Sequence, residues 1–215
     1  MKRLSILLFL MVSLLQNSFS QSEFLARGQS GFGGGWGINT NKEASGLMLF
    51  AGYSFRGFLD ADLTYSKANG GRVQGGVFSP SITFYPIKQE DAENAPTIGV
   101  SLGFSSYTSK TTTKVEEPDS IGIGWHWYEK TNEDKINALN LGITAQRRIG
   151  YYKAFFFQPT VGGMMAMTNS GWEFTLRGGV AIGTRIVKGP LLILTPSIEY
   201  QSGLTTFVVK FGAVF

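Results

Sequence analysis

The sequence predicts an all-β fold, a closed antiparallel transmembrane β-barrel of ten strands, with eight strands as the alternative count. Three observations predict this fold. Apolar and polar residues alternate with period two in segments of about ten residues, the pattern of strands that have one face in lipid. After the first residues, no apolar run reaches the length of a membrane helix. Glycine is abundant, with 28 residues, and charged residues make up 16% of the chain, against about 25% in ordinary soluble domains.

Residues 1–20 predict a signal peptide that is cleaved before the barrel folds. Lys2 and Arg3 precede an apolar run, and a small residue, Ser20, stands before the predicted cut. The run is shorter than the roughly 20 apolar residues that a membrane-spanning helix needs. We therefore expect residues 21–215 to form the mature barrel domain.

The composition also argues against several classes of site. The chain has no cysteine, which excludes disulfides, thiolate metal sites and a lipid-modified cysteine. A single histidine makes a transition-metal site improbable. The formal net charge is +4, but Lys2 and Arg3 belong to the predicted leader and no basic stripe follows them. We expect no cofactor, no bound metal and no nucleic-acid partner.

The first five predicted strands place apolar residues on one face and small or polar residues on the other. Turn residues such as Asn69-Gly70-Gly71 separate them. Their apolar faces are Phe32, Trp36 and Ile38; then Leu47, Leu49, Ala51 and Tyr53; then Leu59, Ala61, Leu63 and Tyr65; then Phe78, Pro80, Ile82 and Phe84; and then Ile98, Val100, Leu102 and Phe104.

The last five predicted strands continue the same alternation. Short turns such as Ser202-Gly203 separate them. Their apolar faces are Leu139, Leu141, Ile143 and Ala145; then Phe155, Phe157, Pro159, Val161 and Met165; then Trp172, Phe174, Leu176, Val180 and Ile182; then Leu192, Leu194, Pro196, Ile198 and Tyr200; and then Phe207, Val209, Phe211, Ala213 and Phe215.

The hydrocarbon of the bilayer requires the sheet to close. An open edge in hydrocarbon leaves N–H and C=O groups unpaired, at several kcal/mol each, so the first strand must pair with the tenth. Proline removes one bond of a strand ladder, and we therefore expect local bulges at Pro80, Pro159 and Pro196.

Aromatic residues collect at the ends of the predicted strands and form two rims, as expected at the two lipid–water boundaries. If the N-terminus is periplasmic, the outer rim is extracellular and so is one long loop, 109–135. The periplasmic rim consists of Tyr53, Phe55, Phe58, Phe84, Tyr151, Tyr152 and Phe215, and the outer rim of Trp36, Tyr65, Tyr107, Trp172 and Tyr200.

The alternating strands, the two rims and the last strand, FVVKFGAVF, together resemble the small outer-membrane β-barrel family of Gram-negative bacteria, the OmpA/OmpX-like barrels. The resemblance implies a place in the bacterial outer membrane, contact with its lipid and lipopolysaccharide, and insertion by the barrel assembly machinery. The usual small members have eight strands, whereas this sequence predicts ten.

A small set of charges is predicted on the inward face of the barrel. One interpretation is a constriction in a narrow pore, and the other is a lumen packed with paired charges, because unpaired buried charges are costly. The predicted lumen charge cluster consists of Asp60, Asp62, Glu173, Arg177, Arg185, Glu199 and Lys210.

The long loop 109–135 contains the second candidate site, a partner-binding group formed by Trp125, His126, Trp127 and Tyr128. Exposed aromatic residues are frequent anchors of protein interfaces. Both flanks of the loop, 108–115 and 121–131, are strand-like, so the loop could form a protruding hairpin with exposed aromatic residues. Alternatively, these aromatic residues could fold down over the barrel mouth or reach the outer lipid boundary.

Three functions are compatible with these patterns. The first is a non-enzymatic outer-membrane barrel, either structural or an accessory subunit of a larger assembly with other outer-membrane proteins. The second is a narrow pore for small solutes. The third is an outer-membrane hydrolase, for which His126 would need a carboxylate or a serine beside it.

Overall fold

The computed structural model of the protein describes residues 25, 28–42, 44–70, 73–89, 95–118, 125–149, 155–186 and 189–215. These residues form ten β-strands. The strands are β1 (Gly31–Thr40), β2 (Ser45–Phe55), β3 (Leu59–Gly70), β4 (Val73–Ile87), β5 (Thr97–Pro118), β6 (Trp125–Gln146), β7 (Phe155–Thr168), β8 (Gly171–Arg185), β9 (Leu191–Gln201) and β10 (Leu204–Val214). Among the described residues, no helix is long and apolar enough to cross a membrane.

The sheet is a closed barrel in which each strand pairs antiparallel with its two neighbours. The closing seam joins β1 to β10 from Gly33 opposite Val214 to Thr40 opposite Phe207. This confirms both the predicted closure and the predicted count of ten strands. Glycine occupies several positions of β1, so the seam has few side chains on the β1 side.

The strands are staggered as closure requires. When the pairing is followed once around the barrel from Asp134 of β6, it returns to the same strand at Gln146, 12 residues further on. A stagger of this kind tilts the strands against the barrel axis, typically by about 35–45°, and with the strand number it sets the diameter. Ten strands at this stagger leave an interior that side chains can fill.

Alternation assigns the two faces of each strand as the sequence predicted. On β3, Asp60, Asp62 and Thr64 are buried in the interior, whereas Leu63 and Tyr65 are exposed on the outside. Large exposed apolar side chains occur on all ten strands and form a continuous belt around the barrel. A belt of this extent is the surface of a transmembrane barrel, because soluble monomers rarely expose large contiguous apolar area.

The two ends of the barrel differ in what they hold. The termini end holds the start of β1 at Gly31 and the last residue, Phe215. The hairpin end holds the β5–β6 connection.

The segment 109–135, predicted as a long loop, is an extended hairpin in the structure. β5 and β6 stay paired as far as Pro118 opposite Trp125. The pairing of β4 ends at Thr111 and that of β7 begins at Ala138, so the rest is a free two-stranded ribbon. Seven residue pairs at ~3.4 Å each carry the ribbon more than 20 Å beyond the β4 partner. The strand-like flanks of the sequence had indicated this form, and the connection 119–124 lies outside the described residues.

Tyr107 corrects the predicted outer rim. Its side chain is fully buried in the lumen rather than placed at the lipid boundary. The reason is the parity of β5, on which Tyr107 shares the inward face with Ser105 and Ser109. Two residues of the predicted periplasmic rim, Tyr151 and Tyr152, lie outside the described residues.

The predicted bulges at three prolines are wrong. The register is the same on both sides of Pro80, Pro159 and Pro196. At Pro80 the pairing of β4 with β5 is interrupted for two positions and then resumes in the same register, and at Pro196 the pairing of β9 with β8 does the same. The reason is that proline lacks an N–H, which removes a hydrogen bond from the ladder without inserting a residue. A register shift does occur on β4 between Phe84 and Ile87, at the end of that strand.

Gly35 in the closing seam provides a test of how tightly the wall is packed. A Cβ atom at Gly35 would lie 2.0 Å from the backbone oxygen of Phe211 and 2.8 Å from the ring of Phe50. We expect Gly35→Ala to destabilise the barrel by about 1–3 kcal/mol, as overpacking does. The measurement is the urea concentration at which half of the protein has lost the faster-migrating folded band on gels of unboiled samples.

Gly178→Ala is the matched control, because a Cβ atom there meets nothing within 4 Å. Its stability should change by no more than about 0.5 kcal/mol. Equal midpoints for the two variants would contradict the close approach of β1 to β10.

Candidate functional site in the barrel lumen

An apolar cluster occupies the lumen from the termini end upwards. The wall makes room for it with glycine: a Cβ atom at Gly183 would lie 2.3 Å from the Phe156 ring. Such positions accept only glycine unless the ring moves. The cluster, called the apolar layer below, consists of Leu25, Met48, Phe50, Phe156, Ala181, Leu191, Ile193, Val208 and Val214.

The chain before β1 is tied across the termini end by a buried lysine. Lys88 Nζ donates hydrogen bonds to the backbone oxygen of Leu25 and to that of Gly57, the second at 2.9 Å. Gly28 N donates to Arg56 O at 3.0 Å. These bonds hold the Leu25 side chain in the apolar layer, and Leu25 with residues 28–30 is called the N-terminal strap.

A second group of contacts closes the same end between β6 and β7. The guanidinium carbon of Arg148 lies 4.7 Å from the centre of the Phe156 ring, and Arg148 Nε donates to Gln158 Oε1 at 3.2 Å. Gln89 bonds both the backbone N and the backbone O of Arg148. Sequence reasoning missed this group and the strap, because Lys88 and Gln89 stand in a polar connector with no periodic pattern.

Three of the predicted lumen charges come together on adjacent strands β8, β9 and β10. Arg177 Nε lies 3.9 Å from Glu199 Oε1, and the two residues are paired across the strands. Lys210 is almost fully buried and also acts electrostatically on Glu199. The arrangement is that of paired charges packed in the interior.

The other predicted charges lie in three separate places. Asp60 and Asp62 are buried on β3, where Gly52 has no room for a Cβ atom because Asp62 Oδ1 would be 2.1 Å away. Glu173 is partly exposed toward the hairpin end and accepts a hydrogen bond from Gln201 Nε2. Arg185 is exposed at the end of β8 and lies outside the buried group.

A hydrogen-bonded network that the sequence did not reveal lines the wall between β4 and β6. Asn140 Nδ2 donates to Ser105 Oγ at 2.6 Å, and Ser105 Oγ lies 2.8 Å from Ser79 Oγ. The predicted polar face supplies such groups, but alternation alone does not say which of them meet across neighbouring strands.

The predicted partner-binding group lies near the tip of the hairpin. Trp125 and His126 are paired with Pro118 and Glu117 of β5. Trp127 is 64% exposed, which makes it accessible to a partner. The side chains of Trp125, His126 and Tyr128 lie outside the described part of the structure, so a catalytic role for His126 stays a prediction. Within the described ranges, no group of three or more potential metal-ligating side chains occurs.

Solved structures with a similar fold exist, at low sequence identity. No protein-family model and no curated protein matches the chain. The β domain of the Bordetella autotransporter Brka is 14% identical, with 86% of this chain and 98% of that chain covered and a TM-score of 0.49. The translocator domain of the autotransporter NalP from Neisseria meningitidis is 8% identical, and the match covers 96% of this chain and 92% of that chain with a TM-score of 0.48. The NanC porin is 11% identical, and the match covers 87% of this chain and 99% of that chain with a TM-score of 0.39.

The N-terminal strap makes a testable seal. Lys88→Met removes two hydrogen bonds from a charged donor, each contributing about 1.5 kcal/mol or more, and we expect the strap to open at least about tenfold more often. Because the chain has no cysteine, Ile193→Cys serves as a single reporter at a residue that is 1% exposed. A water-soluble maleimide should label this reporter at least about tenfold faster in the Lys88→Met background.

Lys67→Met is the control, because Lys67 is exposed on the outer face of β3. It should leave the labelling rate unchanged. Equal rates in all three backgrounds would show that Lys88 does not hold the lumen closed.

Proposed function

We propose that this chain is a non-enzymatic, non-conducting barrel of the bacterial outer membrane, acting as a structural or accessory subunit. The observation that carries the proposal is the filled lumen. Large side chains from all around the barrel are almost completely removed from solvent: Tyr85, Tyr107, Lys210, Met48, Ile193, Gln158, Gln201 and Glu199. A filled interior favours a structural role for the barrel over the conduction of solutes.

Support for the outer membrane comes from the belt and the predicted signal peptide. A closed antiparallel barrel with an apolar outer belt is one of the two architectures that can satisfy every backbone group in lipid. We propose that the belt contacts outer-membrane lipid and lipopolysaccharide, and that the barrel assembly machinery inserts it. With a periplasmic N-terminus, the termini end faces the periplasm and the hairpin faces outward.

A narrow pore remains the second candidate, and one observation favours it. The lumen toward the hairpin end is lined by polar groups, including Glu173, Gln201 and Asn39. A solute entering there would meet the apolar layer, and passage would need side chains such as Phe156 to move aside.

Conductance in planar bilayers distinguishes the two candidates. We expect the natural protein to pass little current, because large side chains such as Tyr85, Met48 and Ile193 are almost completely buried in the lumen and leave little room for ions. Phe156→Ala should raise the conductance, since it removes the ring that packs over Gly183.

Phe157→Ala, which changes an outward residue 41% exposed on the same strand, should leave the current low. A large steady conductance in the unmodified protein would favour the pore. Heat-modifiable migration on gels checks that each variant is folded.

The accessory role depends on the hairpin. The ribbon beyond the barrel exposes Trp127 and leaves the β6 edge from 125 to 137 without a β7 partner. Exposed aromatic residues and free strand edges are common sites of protein association, and we propose another outer-membrane protein as the partner. The hydrolase alternative stays a prediction, because the His126 side chain lies outside the described residues.

Replacing residues 113–130 by a short turn tests the accessory role. We expect the barrel to stay folded, because its ladder and belt lie outside this segment, while any protein that co-purifies from the native membrane is lost. Trp127→Ala should weaken the association by about 2 kcal/mol or more if Trp127 is a central anchor.

Trp172→Ala is the control, as Trp172 is 62% exposed on the lipid-facing belt at the start of β8, at the hairpin end. Retention of the partner after the hairpin is removed would place the contact elsewhere. The outward strip of Phe155, Phe157 and Val161 on β7 would then be the next surface to test.

A further inference from the structure

An apolar groove of about 660 Å³ crosses the outer face of the barrel from β1 to β6. Two small, exposed side chains, Ala51 and Ala61, lie on its floor. Ala61 is paired with Tyr53 of β2 and with Ile82 of β4, and both of these neighbours are much larger. Ala61 is also the third residue of β3, which starts at the termini end. The apolar belt is therefore hollow here, in the half that is nearer the termini end.

An exposed arginine stands just beyond this groove. Arg56 lies in the connection between β2 and β3, three residues after Tyr53 of the groove, or ~10 Å along an extended strand. Its guanidinium carbon lies 5.5 Å from the centre of the Phe55 ring, which packs edge-on against Phe58. Among the residues that the structure describes, no carboxylate forms an ion pair with Arg56. A positive charge is thus held over an aromatic rim, where the belt meets water.

The backbone of this turn does not favour arginine. The φ angle is 50° at Arg56 and 65° at Gly57, and Phe58 N donates to Phe55 O at 3.2 Å. Two successive positive φ angles belong to a type I′ turn, for which Asn-Gly is a preferred pair. A residue other than glycine with a positive φ is uncommon, and asparagine tolerates it better than arginine. The turn alone does not account for arginine, which indicates that the side chain serves a purpose outside the turn.

A phospholipid matches both parts of this surface. Arginine binds phosphate through parallel, charge-assisted N–H bonds, and an acyl chain is apolar and thin enough to enter a groove. A free phosphate would leave the groove unfilled. A second barrel has a convex wall, which would contact Tyr53 and Ile82 at the sides of the groove without reaching the floor at Ala61.

We propose that Arg56 and the groove together bind one phospholipid of the leaflet at the termini end. The phosphate lies against the Arg56 guanidinium, and one acyl chain lies over Ala51 and Ala61. This inference rests on the proposed place of the barrel in a membrane, and it assigns one lipid a fixed position on the belt.

Native mass spectrometry of the folded barrel in detergent tests the site, with dioleoylphosphatidylglycerol as the probe. We expect a first lipid to bind more tightly than the following ones, and more tightly than dioleoylglycerol, which has the same chains but no phosphate. Arg56→Asn should weaken the first site about fivefold, because an arginine near the membrane surface contributes that much to the binding of an anionic lipid. Since Asn-Gly suits the turn, this variant should fold at least as stably as the natural protein.

Filling the groove tests the acyl chain separately from the charge. The double variant Ala51→Leu, Ala61→Leu keeps Arg56 and an apolar outer face, and it should weaken the first site by at least about fivefold. Two matched controls should bind as the natural protein does. Arg147→Asn removes an exposed arginine at the end of β6, and Ala145→Leu enlarges a β6 residue outside the groove.

The proposal is overturned if Arg56→Asn and Arg147→Asn weaken binding equally, if dioleoylglycerol binds as tightly as the phospholipid, or if the filled groove retains the first site. If the double variant does not fold, Ala61→Leu alone decides by the same titration. A natural protein that shows the folded band on gels but no tight first site would overturn the lipid site and leave the proposed barrel role standing. A natural protein without a folded band would overturn both.

Discussion

The pairing of β1 with β10 is the constraint on which the rest of the structure depends. In hydrocarbon, each unpaired backbone N–H or C=O costs several kcal/mol, so the sheet has no stable open form. Once ten strands close with a displacement of 12 residues along β6, the diameter of the lumen is set. The side chains then have to fill an interior of fixed width, and glycines such as Gly183 appear where a ring lies against the wall.

The lumen is divided around its circumference. The apolar layer comes from the N-terminal strap, β2 and β7 to β10, whereas the inward faces of β3 to β6 carry mainly polar side chains such as Asp62, Ser79 and Asn140. Side chains of both kinds are buried in the interior, which agrees with a barrel that acts as a wall and exposes a hairpin at one end.

The sequence predicted the strands, the faces and the closure, because alternation with period two depends on local side-chain chemistry alone. It misplaced Tyr107, although the parity of β5 places that residue inward beside Ser105. It could not identify Lys88 as the anchor of the strap, because the Leu25 and Gly57 oxygens that Lys88 bonds are far from it along the chain. It named Glu173 as a lumen charge but not Gln201 as its hydrogen-bond donor, since residues that meet across two strands come from parts of the chain that no local pattern relates.

The closing seam also orders the folding of the chain. Nine of the ten strand pairings join neighbours in sequence, and hairpins of this kind form locally within microseconds in isolated peptides. The tenth pairing brings Gly33 against Val214 and must wait until the intervening strands are in place. Until then β1 and β10 are both free edges, and such edges pair readily with other chains. The late closure of a glycine-rich strand therefore makes the unfinished barrel prone to aggregation and dependent on a membrane or an escort that shields those two edges.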